Sequence, residues 1–118
     1  MQFVVLKNGQ VIQLVEDPTV YCHHVRCANK SSIGIEIQAR GKIDLDKNDK
    51  QFLSVVNLVR HLVNKYNLQK NFEVKHQPAL TFYGISSHKE VDKYCSRNRY
   101  IKKRDVHNDY VRKILELI

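Results

Sequence analysis

Between Asn48 and Tyr66 the side chains Phe52, Val55, Val56, Val59, Leu62, Val63 and Tyr66 recur three and four positions apart. That spacing draws a single apolar stripe along an α-helix, and the stripe has to be covered by other apolar surface. Asn48 is the expected N-cap, with Gln51 three positions on completing a capping-box pattern. His61 falls about half a turn from the stripe, counting roughly 100° per residue, and is expected in solvent.

The covering surface has to come from short β-rich runs. Phe3 to Lys7 and Val11 to Val15 flank Asn8-Gly9-Gln10, and Asn-Gly between apolar runs is a strong hairpin signal because both residues tolerate positive φ. Glu16-Asp17-Pro18-Thr19 ends the pairing, and a polar loop from Cys22 to Ser32 follows. In Ile33-Gly34-Ile35-Glu36-Ile37-Gln38 the isoleucines share one face of a strand, while Gly34, Glu36 and Gln38 share the other. The first face reads as core. The second presents a carboxylate beside a glycine. Leu80 to Ile85 reads as a further strand, with Ser86-Ser87-His88 at its end and a basic irregular loop from Lys89 to Arg104 beyond it. A last helix from about Asn108 carries Tyr110, Val111, Ile114 and Leu117 on one face. Strands interleaved with helices predict an α/β or α+β single domain over residues 1–118, with a central mixed sheet flanked by helices. A chain of 118 residues suits one core rather than two.

The charge narrows the partners only in part. Twenty Lys and Arg against 12 acids give a formal +8, which favours polyanions such as nucleic acid, anionic lipid or bacterial wall polymer. Cys22, Cys27 and Cys95 make an odd set without a CxxC pair, so reduced thiols are expected, a Cys22–Cys27 bridge remaining open to an oxidising compartment. No apolar run nears the roughly 18 residues that cross a bilayer. The opening Met1–Lys7 lacks a basic n-region, so no export signal is expected, and the chain is expected to stay cytoplasmic until released.

Taken singly, the polar candidates are ordinary. A loop histidine is most simply a surface residue, Glu36 a solvent-facing strand residue, and Asp105 a helix cap. Their order and surroundings say more. The segment running from His24 through Asn29 to Ser32-Ile33-Gly34-Ile35-Glu36 resembles the central signature of zinc-dependent N-acetylmuramoyl-L-alanine amidases, a family that includes phage amidase-type lysozymes and peptidoglycan recognition proteins. The likeness takes in the hairpin Lys7 to Gln13 and the helix opening Asp49-Lys50-Gln51. It continues through Ser87-His88-Lys89-Glu90-Val91-Asp92 and Lys103-Arg104-Asp105, with Asp109 as a second acid four positions later.

The resemblance implies a mechanism. In such amidases two His and one Asp or Cys hold Zn²⁺ and leave the fourth position to water, the arrangement expected of catalytic zinc. The metal lowers the pKa of that water to about 7 and polarises the amide between N-acetylmuramic acid and L-alanine. Carried over by motif, His88 and Asp105 are metal ligands, with Cys95 in Lys93-Tyr94-Cys95 as the alternative to Asp105. Glu36 is the general base, Lys103 the oxyanion partner, and His24 and Asn29 line the substrate groove. The family's first zinc histidine lies on a strand upstream of the hairpin. Relative to the family the chain is therefore expected to be N-terminally truncated and to hold two of the three ligands, with His23, His24 or His76 as substitutes in principle.

Two other classes stay open at this point. An inactive peptidoglycan-binding or recognition module needs no metal. A nucleic-acid-binding domain would use the run Lys89 to Lys113, nine basic residues against four acids interleaved with Tyr94, Tyr100 and Tyr110; a solvated basic loop is the simpler account of it. A missing strand would also leave a sheet edge open to self-association.

Overall fold

Gly9 turns the first hairpin. Its N–H donates to the Leu6 carbonyl at 2.9 Å, and the Leu6 N–H donates to Gln10 O at 2.8 Å. Gly9 has φ 92, whereas Asn8 has negative φ and accepts the Gln10 N–H on Oδ1 at 2.9 Å. Of the Asn-Gly pair, only the glycine uses the left-handed region, as in a turn closed by a glycine bulge. The computed structural model describes residues 1–20, 32–39, 49–72, 84–88, 90–91 and 108–118.

The hairpin strands are β1 (Phe3–Val5) and β2 (Val11–Gln13), followed by β3 (Ile35–Ile37), α1 (Lys50–Tyr66) and α2 (Asn108–Leu117). The sheet order is β2-β1-β3, with β1 antiparallel to β2 and parallel to β3. This mixed sheet with helices packed on it is the α+β domain that the interleaved elements predict. Beyond β2 the chain turns at Asp17, whose carboxyl is held below the usual carboxylate range by the Thr19 hydroxyl at 2.7 Å and then by the Thr19 amide.

α1 begins on Asp49. This residue has extended backbone and accepts the Phe52 N–H on Oδ1 at 2.8 Å, while its Oδ2 faces Lys7 Nζ at 3.3 Å. A carboxylate at this position satisfies a free helix N–H and complements the dipole. Asn48, the cap expected from sequence, lies outside the described residues, and Asp49 does the capping. Gln51 also departs from expectation. Instead of reaching back to a cap it is fully buried, and its Nε2 donates to Val5 O at 3.2 Å and Gln38 O at 2.7 Å. One side-chain amide thus ties the first turn of α1 to the ends of β1 and β3. At the other end of the strand pair the buried Gln2 side chain accepts the Gly34 N–H on Oε1 at 2.7 Å and donates to Val20 O at 3.0 Å. α1 ends at Asn67, which takes φ 53 and lets the Leu68 N–H reach Val63 O at 3.0 Å.

The predicted stripe faces inward. Phe52, Val55, Val56, Val59, Leu62 and Val63 are buried against Phe3 and Val5, and Tyr66 is half-buried. His61 is exposed, as its offset requires. α2 adds Tyr110, Val111 and Ile114, and the Tyr110 ring meets Phe52 edge-on at 5.2 Å between centroids. Leu117, expected on that face, is 43% exposed because the helix ends there without apolar cover.

The segment leading to His88 is placed by a close backbone approach. Of the strand expected over Leu80 to Ile85, residues 80–83 lie outside the described residues, while Ile85 forms a parallel bridge with Phe72 and donates its N–H to Asn71 O at 2.9 Å. Gly84 has φ 133, and a Cβ there would fall 2.4 Å from Asn71 O. Both the conformation and the contact exclude a side chain. Gly84→Ala is expected to cost at least about 1–3 kcal/mol, read as a lowered urea midpoint at unchanged slope. An unaltered midpoint would show that this approach does not constrain the fold.

Candidate functional site

Glu36 occupies the centre of β3. Its neighbours Ile35 and Ile37 pack on the core, so strand alternation turns the Glu36 carboxylate to the opposite face, where it is exposed. Across the sheet it is in register with Val4, which in turn faces Ile12. The carboxylate therefore stands beside an apolar strip formed by the half-buried Val4 and Ile12. Its height along the strand is set by the buried amides of Gln2 and Gln51, which hold the residues on both sides of β3.

His88 is placed by different means. Ser87 is buried, and its Oγ accepts the Glu90 N–H at 3.1 Å while its carbonyl accepts the Val91 N–H at 3.1 Å. Ser87 is thus the cap of a helical turn in which His88 is the first residue, with an exposed side chain. A second link joins this turn to α2. The Ser87 hydroxyl donates to Asn108 Oδ1 at 2.7 Å, and Asn108 Nδ2 donates to Glu90 Oε1. The turn bearing His88 is consequently bonded to the first residue of α2, and Asp105 precedes that residue by three positions.

Ser87 and Glu90 figure in the sequence only as part of the motif around His88, and Asn108 only as the start of the last helix; their bonding to one another is not expected from it. Ser87-x-x-Glu90 has capping-box spacing and was readable as such. Asn108 carries no comparable signal, because its partners lie about twenty positions away.

Of the other candidates, His24, Asn29, Cys95, Lys103 and Asp105 lie outside the described residues, as do His23, His76, Cys22 and Cys27. Among the described residues no three His, Cys, Asp or Glu side chains gather closely enough to hold a metal ion, so a zinc site needs donors from beyond them. An exposed imidazole on an anchored turn, joined by a carboxylate or a thiolate, is a donor set of the right chemistry for zinc. An open depression of about 330 Å³ beside Gln13, Leu14, Val15 and Glu16 involves neither Glu36 nor His88. Two described members of the basic run are engaged within the fold. Arg112 lies over the Phe72 ring at 5.3 Å, and Lys113 faces Glu116 at 3.3 Å. Among the described residues no helix is long and apolar enough to cross a membrane.

The chain matches the family model described as N-acetylmuramoyl-L-alanine amidase over residues 1–99. No curated protein and no solved structure matches it. The matched stretch contains Glu36, His88 and Cys95 and ends before Lys103 and Asp105.

Proposed function

The chain belongs to the N-acetylmuramoyl-L-alanine amidase family, whose members act on peptidoglycan, and from that premise we propose that it is a zinc-dependent hydrolase of the amide joining N-acetylmuramic acid to L-alanine. One observation carries the proposal. Within the matched stretch, the two side chains this chemistry most needs, Glu36 and His88, are both exposed on backbone that is itself pinned.

His88 and Asp105 would hold the zinc, with a third protein donor completing its preferred coordination. Asp105 is preferred to Cys95 because Lys103-Arg104-Asp105, with Asp109 four positions on, resembles the family's closing motif. Bound zinc would polarise the scissile carbonyl and acidify a water molecule. As general base, Glu36 would accept a proton from water and pass it to the departing L-alanine amine, so that hydrolysis of the C–N bond yields a carboxylate and a free amine. Lys103 would neutralise charge developing on the carbonyl oxygen, and His24 and Asn29 would line the substrate groove. The basic surplus suits an anionic wall, and association through the sheet edge would be a separate property, readable by sizing.

The test is metal analysis joined to turnover. The chain should retain stoichiometric zinc after dialysis and cleave muropeptides, lose activity in a chelator, and regain it when zinc is restored. Cleavage that persists in the chelator contradicts the metal-dependent step. Muropeptide binding with neither zinc nor cleavage would instead identify a recognition module. Alanine at Asp105 should abolish zinc retention and alanine at Cys95 should not; the reverse pattern would give the ligand role to the thiolate.

A further inference from the structure

Asn108, the first residue of α2, is bonded to residues on both sides of His88, which the proposed chemistry needs as a metal ligand. Its side-chain amide has one accepting and one donating end, and the structure uses each on a different side of His88. Oδ1 takes the Ser87 hydroxyl proton at 2.7 Å, and Nδ2 donates to the Glu90 carboxylate. Ser87 is buried, and its hydroxyl also caps the turn through the Glu90 N–H, so the hydroxyl has its donor and acceptor roles both assigned. The arrangement admits little substitution. A carboxylate at position 108 would accept from Ser87 but oppose Glu90, and an apolar side chain would leave the Ser87 hydroxyl without an acceptor.

We propose that Asn108 is a positioning residue for the metal ligand His88: by clasping Ser87 and Glu90 it fixes the His88 turn to the start of α2. The inference rests on the zinc-amidase reading. Asn108 touches neither substrate nor metal in this role; it acts through His88. Partners outside a metal's own ligands commonly alter its affinity by about 10- to 100-fold when removed.

The experiment measures zinc affinity of the full chain by competition with a chromophoric chelator, with the ligand-field spectrum of the cobalt form and the melting temperature of the metal-free protein recorded in parallel. Asn108→Ala should weaken zinc about 10- to 100-fold and alter the cobalt spectrum. Asn108→Asp should weaken it at least as much, since it sets a second carboxylate against Glu90. Adding Glu90→Gln to Asn108→Asp restores one donor opposite one acceptor with the polarity reversed, and should recover most of the affinity. Wild-type protein that takes up no zinc overturns the metal reading and this inference with it. Wild-type protein that binds zinc while Asn108→Ala binds equally well overturns the inference alone, as does a double variant no better than Asn108→Asp.

Discussion

His88→Ala should lower muropeptide turnover by at least about 10³-fold while leaving the fold intact. Lewis-acid stabilisation by a bound metal is worth several kcal/mol, and each ~1.4 kcal/mol is a tenfold change in rate. The stability side follows from burial. The His88 side chain is exposed, whereas the groups that build its turn are the Ser87 hydroxyl and the backbone of Glu90 and Val91. Truncating an exposed side chain of this kind shifts stability by no more than about 0.5 kcal/mol. Turnover, zinc retention and a denaturation curve on the same preparation make the check. Full activity in His88→Ala would remove His88 from the metal site, and a large loss of stability would mean that the imidazole serves the fold.

The second large effect belongs to Glu36. Glu36→Gln keeps the size of the side chain and its position on β3 but cannot accept a proton from water. General-base assistance is typically worth about 10²- to 10⁴-fold, and the loss should fall on kcat rather than on zinc content or substrate affinity. Because Glu36 faces away from the core, the variant should unfold at the wild-type midpoint. A variant that loses zinc together with activity would assign Glu36 a place among the ligands. One that loses neither would leave it an ordinary surface carboxylate.

Periodicity made much of this architecture legible. The α1 stripe, the Asn-Gly hairpin and the alternation around Glu36 are local patterns, each visible within a few residues, and their inward and outward faces follow from the helix and strand repeats. What escaped is long-range and polar. Gln2 and Gln51 look like surface residues in sequence, yet both are buried because their amides satisfy backbone groups at strand ends. Helix capping moved from Asn48 to Asp49, where one carboxylate serves both the Phe52 N–H and Lys7, a contact forty-two positions distant. The link from Asn108 to Ser87 is of the same kind. The roles expected of His24, Asn29, Cys95, Lys103 and Asp105 come from the likeness to amidases alone, since no periodic pattern can assign them.

Identification of the bond broken is the most direct test of the account. Purified peptidoglycan digested with the zinc-loaded chain and analysed by mass spectrometry should yield stem peptides with a free L-alanine amine, alongside glycan strands whose muramic acid lactyl groups end in carboxylates. Products cut at a glycosidic linkage or within the stem peptide, or an undigested wall that nonetheless retains the protein, would contradict it.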